Sequence, residues 1–313
     1  MLTVPADADG QRLDNFLLRY LKGIPRSLVY RLVRKGAIRV NGRRVRADSR
    51  VTGGDEVRVP HLHGPDDVQR EVRVPEAVLR ALRQAIIHED EDYLVLDKPA
   101  GMAVHGGSGL AYGIIEAMRT LRPDASLELG HRLDRETSGC LVLTKTRRGL
   151  SAFHGALRKG MVGKRYLALL CGRWEGPGVR CELPIANDRD ERGRRQMRTV
   201  VGPDKVTRNA VSVFTPIETF PGFTLVQVDI GTGRTHQIRV HGQALGHPVA
   251  GDHDYGDPKA NRTARELGLN RMFLHAQALR FPDDGGEEQL FSAPLPKELQ
   301  VFLDMLAKAG APR

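Results

Sequence analysis

The sequence predicts an α+β protein, with a mixed, mainly antiparallel central sheet in a large domain and a small helix-and-hairpin module ahead of it. Three observations carry this. From Ala85 onward short apolar runs dominate, without strict strand–helix alternation and without an internal repeat. Residues 11–59 join two stretches of helical period to short alternating runs split by Asn41-Gly42. Between them lies a polar, proline-bearing stretch that reads as a linker. The expected boundaries are 11–60 for the module, 61–83 for the linker and 84–310 for the large domain.

Composition sets the partners. A length of 313 residues suits one large or two ordinary domains, and 40% hydrophobic with 27% charged residues is ordinary for a soluble chain. The formal net charge is +10, and residues 1–60 hold 13 Lys+Arg against 6 Asp+Glu, which points to a polyanion. Arginine suits bidentate phosphate contact, although a G+C-rich genome gives the same excess of arginine over lysine. Cys140, Cys171 and Cys181 show no C-x-x-C spacing, so a disulfide framework or cysteine zinc site is not expected. There is no basic region followed by an apolar leader, and no apolar run of roughly 18 residues. The expectation is a cytoplasmic monomer that does not meet a membrane.

The module comes first. Leu13, Phe16, Leu17, Tyr20 and Leu21 recur at helical spacing. After Pro25, Ser27 suits an N-cap for a second helix with Val29, Leu32 and Val33 on its apolar face, and Gly36 suits a stop. The other side of that helix carries Arg31, Arg34 and Lys35. Ile38-Arg39-Val40, Asn41-Gly42 and Arg43-Arg44-Val45 read as a hairpin, with Val57-Arg58-Val59 as a third strand. His61 and His63 in the linker lack a third ligand at suitable spacing, so no metal is expected there.

In the large domain, Ile86-Ile87 and Tyr93–Leu96 are strand-like, and Asp97-Lys98-Pro99-Ala100-Gly101 is a turn. Val104-His105-Gly106-Gly107-Ser108-Gly109 is a glycine-rich loop before a helix over Ile114–Leu121. It matches neither a P-loop nor a dinucleotide fingerprint. The loop Gly130–Gly139 follows: one carboxylate, Asp134, stands between Arg132 and Arg135, bracketed by glycines and followed by an apolar strand from Cys140. Flanking arginines favour an anionic Asp134, fit to act as a nucleophile or to hold a cation. Leu150–Leu157 reads as an amphipathic helix, and Lys164–Leu170 as a strand carrying a polar aromatic, Tyr166. Arg189, Arg192, Arg194, Arg195 and Arg198 make a basic loop. Phe223–Ile230 alternates as a strand and runs into Gly231-Thr232-Gly233-Arg234-Thr235-His236-Gln237-Ile238-Arg239, where Arg234 opens a helix. Asp252 and Asp254 fall in a turn-rich loop, and a short amphipathic helix starts near Pro296.

Several of these stretches resemble known families. His131-Arg132-Leu133-Asp134-Arg135-Glu136-Thr137-Ser138-Gly139 is similar to the signature of the pseudouridine synthases of the ribosomal large-subunit type. Gly233-Arg234-Thr235-His236-Gln237-Ile238-Arg239 resembles a second motif of that family, and Lys164-Arg165-Tyr166-Leu167-Ala168 a third. Arg12-Leu13-Asp14 with Gly36–Gly42 resembles an S4 domain, an RNA-binding module.

The resemblance implies a pseudouridine synthase fold and an isomerase of uridines in large-subunit ribosomal RNA, free or in a pre-ribosomal particle, with no cofactor. It implies Asp134 as nucleophile, Arg234 as its ion-pair partner and Tyr166 against the target base. Arg132 is the candidate to fill the gap left by the flipped base. Arg31, Arg34, Lys35, Arg43, Arg44 and His105 are the remaining candidate RNA contacts. Attack on ribose C1′, on the base, or passage through a glycal all stay open. So do two other classes: a non-catalytic RNA-binding assembly factor, and a glycoside hydrolase using Asp134 and Glu136, which would share a face if they lay on a strand.

Overall fold

The structure, a computed structural model, describes residues 1–21, 26–60, 74–106, 110–189, 195–200 and 207–310. The chain forms two compact units, Met1–Arg73 and Val74–Arg313.

The first unit opens with a strand ahead of Gln11, earlier than the boundary expected from sequence. This is β1 (Leu2–Thr3), followed by α1 (Leu13–Tyr20), α2 (Arg26–Lys35), β2 (Arg39–Val40), β3 (Arg43–Arg44) and β4 (Glu56–Arg58). The strand order is β1-β4-β2-β3, so the last strand lies in the middle. Asn41 and Gly42 take φ of 49° and 74°, both in the left-handed region that a two-residue hairpin of this hand requires. Asn41 is held further: its amide donates to Asp55, and its side-chain oxygen accepts from the Glu56 N–H. Val4, Leu13, Phe16, Leu17, Val29, Val33, Ile38 and Val57 are buried together between helices and sheet. Ser27 lies within α2 rather than capping it, since the helix begins at Arg26.

The second unit starts with α3 (Glu76–Gln84), which places the end of the expected linker inside this unit. Leu79 and Leu82 bury its apolar face in the larger core. There follow β5 (Ile86–Glu89), β6 (Tyr93–Lys98), α4 (Ile114–Leu121), β7 (Glu128–Leu129), β8 (Ser138–Thr144), α5 (Arg147–Arg158) and β9 (Gly163–Cys171). Then come β10 (Val179–Cys181), β11 (Ile185–Arg189), β12 (Arg195–Thr199), β13 (Ser212–Phe220), β14 (Phe223–Ile230) and α6 (Gln237–Ala244). The remainder is α7 (Pro258–Glu266), β15 (Leu274–Pro282), β16 (Glu288–Ser292) and α8 (Lys297–Gly310).

Among the described residues, a ten-stranded sheet runs β10-β13-β14-β9-β15-β8-β6-β5, with β16 on β15 and β7 on β8. Its ladders are antiparallel except β15 on β8, which makes the sheet mixed but mainly antiparallel. β8 is buried along its whole length, which is why it reads as one apolar run. Leu141 and Leu143 point into one core, Cys140 and Val142 into the other with Phe153. Gly139 has φ 108°, and a Cβ there would stand 2.2 Å from the Ala276 carbonyl oxygen. Only glycine lets β15 come this close at the start of β8.

Helix ends follow local chemistry. α5 begins at Arg147, before the expected Leu150, because the Thr146 hydroxyl accepts from the Gly149 N–H. Asp257 caps α7 in the same way, with Pro258 in the first turn. The three cysteines are free and buried, as expected of core residues. No described helix is long and apolar enough to cross a membrane.

Candidate functional site

The loop from His131 to Thr137 lies between β7 and β8, outside any strand. Three tethers fix it. Lys98 Nζ donates to the carbonyls of Arg135 and Pro99 at 3.0 and 2.8 Å. The Gly101 N–H donates to the same Arg135 carbonyl, and Arg135 Nε returns a bond to the Gly101 carbonyl at 2.8 Å. Ser138 accepts from Arg271 Nη2 at 2.8 Å and lies 3.0 Å from His275 Nδ1, a buried contact at the root of β8. Thus the Lys98–Gly101 turn clamps the loop that carries Asp134.

Lys98 is fully buried, and burial, then Arg271, pushes its pKa down to about 7. Because the folded value is depressed below 10.5, the unfolded chain binds more protons between about 7 and 10.5, so this group makes stability rise with pH in that window. We expect Lys98→Met to remove that rise, up to about 1.4 kcal/mol per pH unit, in denaturant titrations at pH 7.5 and 9.5. Equal slopes in the two proteins would show that Lys98 is not so perturbed.

Asp134 opens into a cleft of about 580 Å³. Tyr166, Ile230, Ile238 and Leu274 supply its apolar wall, and Arg132, Arg158, Lys164 and Arg234 its cations. Such a mix suits a nucleotide, flat base on one side and phosphate on the other. Tyr166 comes from β9 and is 7% exposed; burial, then the charge of Asp134, raises its pKa, so the phenol stays protonated. Lys164 is pulled below its ordinary value by burial and by Arg234. His131 is driven down to about 3 by burial and by Lys164, and its Nε2 accepts from the Val142 N–H. It is a neutral strut of the loop.

The partner of Asp134 is Arg239, not Arg234. Arg239 Nη1 stands 3.6 Å from Asp134 Oδ2, and His236 Nε2 stands 3.9 Å from the same oxygen. Arg234 also lines the cleft, but its Nε donates to the Asn209 carbonyl at 3.1 Å. The physical reason is the helix start. α6 begins at Gln237 after a left-handed His236, so Arg234 lies on the loop ahead of it, while Arg239 sits in its first turn and is buried. Nor do Arg132 and Arg135 pair with Asp134 as their place in the sequence suggests: Arg135 is turned to Gly101 and Glu136.

Arg239 is itself held. Its Nε and Nη2 meet both oxygens of Asp252 at 2.6 and 2.8 Å, and Nη2 also reaches Asp254 at 2.8 Å. The Tyr255 ring covers the guanidinium at 4.8 Å. Burial pulls the arginine's pKa down, but the two carboxylates more than offset this and hold it charged. Asp252 is opposed by burial, yet Arg239 keeps it below the usual carboxylate range. Asp252 and Asp254, expected to serve only a turn, therefore aim the cation. Arg239 was not among the residues singled out from the sequence; two carboxylates at i and i+2 in a chain without a metal motif were the available signal of a buried cation.

Other expectations resolve variously. Arg132 is exposed and lines the cleft beside Asp134, as a gap-filling residue must. Glu136 is exposed in a turn, pairs with Arg135 and does not line the cleft, so the two-carboxylate arrangement is not formed. His105 is exposed and likewise outside the cleft lining. Near it, the Gly106 and Gly113 N–H groups both donate to Glu116, which occupies donors a phosphate would need. His61, His63, Arg192 and Arg194 lie outside the described residues. Among the described residues no cluster of His, Cys, Asp or Glu suits a metal.

The first unit has its own groove, of about 850 Å³, between α2 and the segment after β3. Arg31, Arg34 and Arg44 line it and are exposed, and Lys35 and Arg43 are exposed nearby on the same elements. Tyr30, 43% exposed, lies in the groove with its hydroxyl donating to buried Asp14 at 2.7 Å. Arg12 clamps the same carboxylate through two bonds, and its hydrogen bond holds Asp14 far below the usual range. The tyrosine is thus fixed at its hydroxyl end and partly exposed.

Known proteins resemble this chain over most of its length. Residues 92–244 match the family model described as RNA pseudouridylate synthase, and residues 11–57 match the S4 domain. A protein of Haemophilus ducreyi, "Ribosomal large subunit pseudouridine synthase C", is 44% identical over 97% of this chain and 94% of its own. Its namesake in Escherichia coli K12 is 43% identical over 99% and 97%. Among solved structures, human RNA pseudouridylate synthase domain containing 4 covers 74% of this chain and 96% of its own, with TM-score 0.61 and 26% identity. Human RNA pseudouridylate synthase domain containing 1 covers 72% and 93%, with TM-score 0.59 and 28% identity.

Proposed function

The chain belongs to the RNA pseudouridylate synthase family, and from that premise we propose that it isomerises uridines of large-subunit ribosomal RNA to pseudouridine in the cleft around Asp134. The observation that carries this is a carboxylate held at one oxygen by a buried, doubly anchored arginine, opening into a basic cleft with an aromatic wall.

The reaction breaks the N1–C1′ bond and forms C5–C1′. The C5 hydrogen leaves as a proton and N1 gains one, so nothing is oxidised or reduced. Asp134 faces the ribose as the nucleophile, with Arg239 Nη1 aimed at one of its oxygens. Tyr166 gives the detached uracil a flat face to turn against and brings a phenol within proton-transfer reach of it. Arg132 enters the stack that the base has left, and Arg158, Lys164 and Arg234 meet the flanking phosphates. The enzyme works in the cytoplasm as a monomer. Mapping pseudouridine in large-subunit rRNA tests this: a strain lacking the protein loses specific sites, and the wild-type gene restores them. An unchanged map would leave an RNA-binding assembly factor instead.

The groove of the first unit supplies RNA affinity, with Arg31 and Arg34 on phosphates. Replacing both arginines by alanine is expected to lower the slope of log K against log salt by roughly one per residue, with the single-turnover rate of bound RNA unchanged. Filter binding from 50 to 300 mM salt reads this, and an unaltered slope would remove the groove from the RNA contact.

A further inference from the structure

Both donors near Asp134 meet one oxygen. Arg239 Nη1 and His236 Nε2 lie 3.6 and 3.9 Å from Oδ2. The arginine's position follows from Asp252 and Asp254. The histidine's position needs a separate account.

His236 has φ 55° and ψ 22° and immediately precedes α6. Among the described non-glycine residues only Asn41 shares a positive φ, and it sits in an Asn-Gly turn where that is expected. For a histidine this backbone is strained, and the surroundings must overrule that strain. The side chain makes no helix-capping bond that would explain the placement. Instead Nδ1 lies 2.8 Å from the Tyr255 hydroxyl, with the two rings edge to face.

That contact fixes the tautomer. Tyr255 is 2% exposed, and its hydroxyl already accepts from the Met197 N–H at 3.0 Å. The buried phenol must still place its own hydrogen, and among the described residues the acceptor in reach is His236 Nδ1. The ring proton is therefore on Nε2, the atom that faces Asp134. Burial lowers the pKa of His236 and Asp134 works against it, with Arg239, Asp254 and Asp252 as the other charges around the ring. Met197 belongs to β12, and the neighbouring Gln196 donates to the Asp254 carbonyl at 3.3 Å, so one hairpin strand braces both arms of the array.

We propose that His236 is a positioning residue whose Nε2–H, together with Arg239, engages Oδ2 of Asp134 and leaves Oδ1 as the oxygen presented to the ribose. The inference rests on Asp134 being the nucleophile. The 3.9 Å separation closes to a hydrogen bond when substrate fills the cleft, as catalytic contacts in free enzymes commonly do. The left-handed backbone is what places an imidazole, rather than the glycine or asparagine usual at such a turn, within reach of the carboxylate.

Three replacements separate donor from backbone. His236→Asn suits a left-handed backbone but is too short to reach Asp134; His236→Gly relieves the strain and removes the side chain. His236→Gln carries an amide N–H to about the place of Nε2. Single-turnover rates on large-subunit rRNA transcript are measured with RNA affinity and melting temperature. The asparagine and glycine variants leave the Tyr255 hydroxyl without this acceptor and are expected to melt below wild type, yet to stay folded at the assay temperature, to keep their affinity, and to lose rate by about 10²-fold, as for removal of one preorganised donor. Glutamine restores most of the rate. Wild-type rate in His236→Asn, or glutamine no faster than asparagine, overturns the proposal. Asp134→Asn is run beside them: if it turns over normally, the site reading itself fails, whereas an inactive Asp134→Asn beside a fully active His236→Asn defeats only the role given to His236.

Discussion

Asp134→Asn eliminates pseudouridine formation, with single-turnover rates down by about 10⁴-fold or more, while RNA affinity changes by less than about threefold. The asparagine is isosteric, so the loop that Lys98, Gly101 and Ser138 hold in place keeps its shape. What is lost is the charge. An amide neither attacks C1′ nor stabilises positive charge there, and in a partly closed cleft that loss is not made good by water. Affinity survives because RNA contact is spread over cations of the cleft and of the S4 unit. A tritium-release assay from C5-labelled uridine RNA reads the chemistry, and filter binding reads the affinity. Turnover within tenfold of wild type would remove Asp134 from the reaction.

The parts legible in the sequence were those fixed by local physics. The Asn41-Gly42 hairpin needs two positive φ values, and few dipeptides give them cheaply. β8 reads as a strand because both its faces are covered, and Gly139 because β15 allows no Cβ there. Elements without local weight were missed. β1 is two residues long and exists only because β4 offers it a partner. α3 reads as a short helical run from Glu76 to Arg83, but its polar neighbours put it with the linker, whereas Leu79 and Leu82 tie it to the core.

The site shows the same divide. Asp134, Tyr166 and Arg132 came from a long motif and its neighbours and do line one cleft. Arg239 stands in the second motif but was not singled out, because Gln237 to Gly242 are all buried and such a helix has no polar face from which to read orientation. Its anchors are 13 and 15 residues away in sequence and meet it only once α6 has turned. An arginine in a motif can be recognised before the fold is known; which of two arginines faces the carboxylate is a matter of where the helix begins.

Arg239 carries two loads, and the second large prediction separates them. Arg239→Met leaves Asp252, buried and charged, with only the N–H groups of Asp254 and Tyr255. Breaking a buried pair from one side costs about 3–5 kcal/mol, so this variant melts well below wild type and its lost activity proves little. Adding Asp252→Asn removes the stranded charge while an amide oxygen still accepts from both N–H groups. Much of the stability then returns, because exchanging a buried ion pair for neutral groups of similar size is often close to neutral. Activity does not return. Asp134 remains without its guanidinium, and the double variant stays about 10²-fold or more below wild type. Arg239→Lys fails differently: the ammonium keeps the charge but cannot span Asp252, Asp254 and Asp134 with one planar fork, so stability falls less than activity. Urea titrations alongside single-turnover rates give both readings. If the double variant regained activity along with stability, Arg239 would be scaffold alone, and its contact with Asp134 would have no part in the reaction.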